Sequence, residues 1–85
     1  MQKEITAKIF EKKELKDRNM RPYLMLKLAG ENNPNSIFVF PRSVKEYEWD
    51  ELVSGETFTF SLQADISRSD FWTVNSFAKS YSFQF

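Results

Sequence analysis

Along most of the chain hydrophobic and polar positions alternate with a period of two, the mark of strands with one buried face. KEITAKIFEKK (residues 3–13) alternates Ile5, Ala7 and Ile9 with Thr6, Lys8 and Phe10 and predicts strand one. EKKELKDRNMRP (11–22) is dense in charge and closes on a proline, so it predicts a loop or a long hairpin arm. In YLMLKL (23–28), strand two, Leu24, Leu26 and Leu28 share one face, with Tyr23, Met25 and Lys27 on the other. AGENNPNS (29–36) is a turn segment rich in Gly, Asn and Pro, and IFVF (37–40) is strand three. Strands two and three then form a hairpin.

The period changes after residue 42. Ser43, followed three residues later by Glu46, has the spacing of a capping box. Trp49, Leu52 and Val53 recur at i, i+3 and i+4 with Val44 flanking them, and Gly55 can take the left-handed conformation that ends a helix. This predicts one helix over 43–53. ETFTFSLQAD (56–65) alternates Phe58, Phe60, Leu62 and Ala64 with Thr57, Thr59, Ser61 and Gln63, the cleanest strand pattern in the chain, and is strand four. After the turn ISRSD (66–70), FWTVNSFAK (71–79) is strand five, with Trp72 and Val74 on one face and Phe71, Thr73 and Phe77 nearer the other. The segment 80–85 predicts an edge strand or a tail, because YSFQF alternates too.

Strand three breaks the rule the others keep. Ile37 and Val39 point one way and Phe38 and Phe40 the other, so both faces are apolar. The inward row is already filled by Ile5, Ala7, Ile9, Leu24, Leu26, Leu28, Ile37, Val39, Phe58, Phe60, Leu62 and Val74, with Trp49, Leu52 and Val53 of the helix plugging one end. Tyr23, Met25, Lys27, Phe38 and Phe40 are left outside. Three alternatives stay open for Phe38 and Phe40. They could be the core residues, with Ile37 and Val39 outside, because a one-residue slip exchanges the faces. They could face a second subunit, or lie under YSFQF, since exposed aromatic patches also mark protein interfaces.

Composition narrows the chemistry. Eighty-five residues allow one domain, 1–85, and one modest core. Nine Phe, three Tyr and two Trp are more aromatic residues than that core needs. With no Cys and no His there is no thiolate nucleophile, no imidazole base and no usual zinc site. The two glycines cannot build a phosphate loop, and Glu46, Glu48, Asp50 and Glu51 of the helix read as a solvated face. The expectation is a non-enzyme without a cofactor or metal. No apolar run reaches the length of a membrane span, and MQKEITAKIF lacks the apolar stretch of a signal peptide, so an intracellular protein, cytoplasmic or at the nucleoid, is expected. The net charge of zero hides a split. Residues 1–30 carry eight basic and four acidic side chains, and residues 31–85 carry four basic and eight acidic, +4 against −4.

Strand, strand, strand, helix, strand, strand, with the SGETFTF run leading into strand four, resembles the small single-domain OB-fold proteins, especially those that bind single-stranded DNA. The resemblance covers Glu4 to about Lys79 and is one of architecture. It implies an all-β fold with one helix, a five-stranded Greek-key barrel with the helix between strands three and four. It also implies that oligonucleotides lie on the outer face of strands two and three. The expected nucleic-acid-binding residues are Tyr23, Met25, Lys27, Phe38 and Phe40, with Lys16, Arg18 and Arg21 before strand two and Arg42 after strand three. The expected partner is single-stranded DNA, bound without sequence preference through base stacking. Single-stranded RNA stands beside it, because stacking does not sense the 2′-hydroxyl. The rival class is a protein-interaction module or homo-oligomer subunit using the same face. Bacterial single-stranded DNA-binding proteins usually end in an acidic partner-recruiting tail, whereas SYSFQF has no acids.

Overall fold

The computed structural model describes residues 2–30, 33–64, 67 and 71–80. The strands are β1 (Gln2–Lys16), β2 (Pro22–Leu28), β3 (Ser36–Val39), β4 (Thr57–Ala64) and β5 (Trp72–Lys79), and a 3-10 helix, Glu46–Glu51, lies between β3 and β4. This is the expected element order. All five strands belong to one sheet, in the order β1-β2-β3-β5-β4, and β4 pairs back onto β1, so the sheet closes into a ring. β1 makes closure possible by serving twice: Gln2–Lys8 pair with β4, and Ile9 to Lys16 pair with β2. The neighbours are antiparallel except β3 and β5, which run parallel and meet at Phe38 and Thr73.

Inside the ring sit Ala7, Ile9, Leu24, Leu26, Leu28, Ile37, Val39, Phe58, Phe60, Leu62 and Val74. Val44, Trp49 and Leu52 cover the end at which β3 leaves and β4 begins. Ile37 and Val39 are fully buried, so the register that makes Phe38 and Phe40 core is excluded. No polar side chain is buried among the described residues except as part of Trp49, whose indole Nε1 donates to the Val44 carbonyl at 2.9 Å.

Several expectations need correction. The helix is six residues of 3-10 geometry, not an α-helix over 43–53. Its cap lies two residues later than the Ser43–Glu46 pair and is one-sided: the Glu48 carboxylate accepts the Lys45 backbone N–H at 3.1 Å. The lysine ammonium has no acceptor with which to complete a box. The helix ends at Glu51 and its C-cap Leu52 leaves helical geometry (φ −84°, ψ 86°), so Val53 lies beyond the helix. Val53 is accordingly 45% exposed rather than part of the plug. Ile5, opposite Phe60, is only partly buried and packs against the core rather than within it.

The charged segment 11–16 is strand, and only residues 17–21 form the hairpin turn. Of the two expectations for 11–22, the long hairpin arm holds and the loop does not; the ladder slips between Ile9 and Glu11, leaving Phe10 as a bulge that reverses the parity of everything after it. A second slip, between Ser61 and Leu62 of β4, leaves Asn75 of β5 without a partner. Phe77 thereby follows Val74 to the inner side, opposite Phe60 and edge-on to Phe58 at 5.9 Å, rather than joining Phe71 and Thr73. The expected edge strand or tail, apart from Ser80, lies outside the described residues, as does most of the 66–70 turn.

Candidate nucleic-acid interface

Residues directly opposite in neighbouring strands share a face. Met25 opposes Phe38 and Lys27 opposes Ser36, while Leu24 and Leu26 oppose Val39 and Ile37. Strict alternation therefore carries Tyr23, Met25, Lys27, Phe38 and Phe40 outward while the leucines turn in. The parallel β3–β5 contact adds a ring from a distant part of the sequence: Phe71, just ahead of β5, stacks on Phe38 with centroids 4.5 Å apart and planes 9° from parallel. Tyr23 stacks on Phe40 at 5.4 Å and 23°, and tilted contacts at 6.3 Å (Tyr23–Phe38) and 6.5 Å (Phe40–Phe71) join the two stacks. Among the described residues the result is one patch of four aromatic rings, each half-buried.

The bulge at Phe10 brings β1 onto this face as well. Leu15 opposes Tyr23, Lys13 opposes Met25 and Glu11 opposes Lys27. Leu15 extends the apolar row, a contribution that simple alternation from Ile5, Ala7 and Ile9 assigns to the interior. The two lysines converge on one carboxylate: Lys13 Nζ is 3.3 Å and Lys27 Nζ 3.9 Å from Glu11. One carboxylate shared by two lysines leaves a single net positive charge in this cluster.

The arginines sit differently. Arg42 lies over the Phe40 ring, its guanidinium carbon 5.2 Å from the centroid. A cavity of about 240 Å³ opens at that edge of the patch, lined by Asp17, Arg21, Pro22, Phe40, Pro41 and Arg42. Asp17 is engaged by the turn: its Oδ1 accepts the backbone N–H groups of Asn19 at 2.8 Å and Arg21 at 2.9 Å. Among the described residues no carboxylate pairs with Arg21 or Arg42. One aromatic wall and two guanidinium groups thus meet at one end of the ring patch, where an anion would find both charge and planar hydrogen-bond donors.

Lys16 and Arg18 fall elsewhere. Lys16 opposes Pro22, on the parity of Leu24 and Leu26, so it leaves the hairpin on the side away from Tyr23. Arg18 is exposed in the hairpin turn. Six of the nine expected residues therefore form the patch and its Arg42 edge, Arg21 joins them through the cavity, and Lys16 and Arg18 do not. Phe71 was readable only as an outward ring one place before Trp72. Its neighbour on β3 depends on a parallel pairing that local pattern does not encode. No protein-family model matches the chain, and no curated protein matches it.

Proposed function

We propose that the chain is an OB-fold barrel that binds single-stranded nucleic acid, without sequence preference, across the outer face of β2 and β3. The carrying observation is the four-ring patch of Tyr23, Phe38, Phe40 and Phe71, with Arg21 and Arg42 at its edge meeting no carboxylate among the described residues. Bases supply π-faces to the rings, each stacked base contributing roughly 1–3 kcal/mol, and the arginines hold phosphates beside them. Base edges stay unread, because rings stack on any base. The ring order 1-2-3-5-4, the parallel β3–β5 contact and the helix between β3 and β4 support the barrel assignment.

Titration with oligo-dT against a matched duplex tests this reading. Tight binding of the single strand and weak binding of the duplex are expected, because paired bases offer no free faces. With about two phosphate contacts, log K should fall against log salt with a slope of roughly −1.4. Arg42→Ser should flatten that slope by about half and leave the melting temperature in place. Equal affinity for duplex, or a slope several times steeper, would replace stacking by general charge attraction.

One observation favours a second reading. Leu15 and Met25 continue the rings into a broader apolar row, while Glu11 offsets one of the two lysine charges on the face. A protein partner would use that row in the same way. Failure to bind oligo-dT at low salt, with retention of a protein ligand, would decide for it.

A further inference from the structure

Lys16 and Arg18 have no part in the ring patch, yet they stand in the most basic stretch of the chain. The hairpin turn that follows Lys16 and contains Arg18 carries one further feature: Met20, with φ of 65°, is 68% exposed beside its tip. The turn is fixed from within, since Asp17 N–H donates to the Arg21 carbonyl at 2.9 Å and Met20 N–H to the Asp17 carbonyl at 2.9 Å, while the Asp17 carboxylate holds two more backbone N–H groups. The turn thus carries a preformed apolar knob with basic neighbours and its one acid occupied.

A groove of opposite character lies between the 3-10 helix and the end of β5. It is a cavity of about 390 Å³ lined by Phe58, Phe77, Ala78 and the exposed Val53, with Glu48, Glu51, Glu56 and Lys79 around it. Glu56 is paired with Lys79 at 3.0 Å and Glu48 accepts the Lys45 backbone N–H, so the groove's net negative charge is carried by Glu51 and Glu48. The six-residue helix beside it holds four acids and no base. Knob and groove share no residue, and each offers what the other lacks: an apolar knob with cations against an apolar lining with anions.

We propose that the Met20 knob of one molecule docks in the Val53–Phe77 groove of a second copy of this chain, with Lys16 and Arg18 facing Glu48 and Glu51. The contact is heterologous, so each copy keeps one knob and one groove free and association continues as a row rather than stopping at a pair. A tip of five residues buries little area, which places the contact among weak, salt-sensitive associations. The inference does not rest on nucleic-acid binding, because association is measured on the protein alone.

Sedimentation velocity at rising protein concentration provides the test. The unaltered chain should associate progressively, and less so as salt is raised. Glu51→Lys and Arg18→Glu should each weaken self-association roughly tenfold, because each sets like charges against one another. Mixed together, the two variants should associate again: each groove then meets a knob of opposite charge. Met20→Gly, which relieves the positive φ, should keep the fold and lose association. A chain that stays monomeric at all concentrations, or a mixture in which association does not return, would overturn the proposal. So would association gained only on removal of residues 81–85, since the chain's own C-terminal segment would then be the occupant of the groove.

Discussion

The closed sheet has two outer faces built from the same kind of strand, and they differ sharply. Outside β1 and β4 stand Glu4, Thr6 and Lys8 opposite Ser61, Thr59 and Thr57, with the Thr6 and Thr59 hydroxyls hydrogen-bonded at 2.9 Å. Outside β2, β3 and β5 stand Tyr23, Met25, Phe38, Phe40 and Phe71. Both faces cover one continuous core, so the threonine face serves as an internal control. The sheet closes and packs with hydroxyls on its outside, and four rings on the other side are more than the fold requires. Half-exposed rings cost solubility and invite association, and a binding role gives them a reason to be there.

The largest effect should separate the core from both outer faces. Phe60, fully buried inside the ring, should cost roughly 3–5 kcal/mol of stability when replaced by Ala, and Ile37→Ala roughly 2–5 kcal/mol. A denaturant midpoint that barely moved would mean that the interior is not packed as described. A smaller and different effect is expected from the rings. Phe38→Ala loses a stacked partner in Phe71, so stability should fall by about 1–2 kcal/mol, more than for an isolated surface ring. Binding of oligo-dT should weaken by roughly 1–3 kcal/mol. Loss of stability without loss of binding would make the rings a structural cluster and collapse the contrast with the threonine face. The smallest effect belongs to that face. Thr59→Val removes one exposed hydrogen bond, and both stability and oligo-dT affinity should stay within about 0.5 kcal/mol of the starting protein. A larger binding loss would show that nucleic acid also touches β1 and β4.

Much of this organisation was legible in residue order because side-chain direction in a strand follows a strict period. Leu24, Leu26, Leu28, Ile37 and Val39 go in, and Tyr23, Met25, Phe38 and Phe40 go out, as alternation requires. Three things were not legible, each because a longer-range fact overrides the local period. The bulge at Phe10 is fixed by β1 turning from β4 to β2, and it moves Leu15, Lys13 and Glu11 to the aromatic face. The bulge at Asn75 turns Phe77 inward. The helix is one short 3-10 stretch that ends at Glu51, with Trp49 and Leu52 buried over the end of the ring and Val53 left in solvent. The candidate site was read to the same depth. Its rings on β2 and β3 follow from alternation, whereas Phe71 arrives through a parallel pairing between strands more than thirty residues apart.

The two outer faces can be compared in one experiment by following side-chain NMR signals during addition of oligo-dT. Aromatic resonances of Tyr23, Phe38, Phe40 and Phe71 should shift together and saturate at the affinity measured in solution. Those of the buried Phe58 and Phe60 and the methyl signals of Thr6 and Thr59 should hold their positions. Shifts confined to the threonine face, or no shift in the four rings while the strand is bound, would contradict the assignment of the aromatic face as the binding surface.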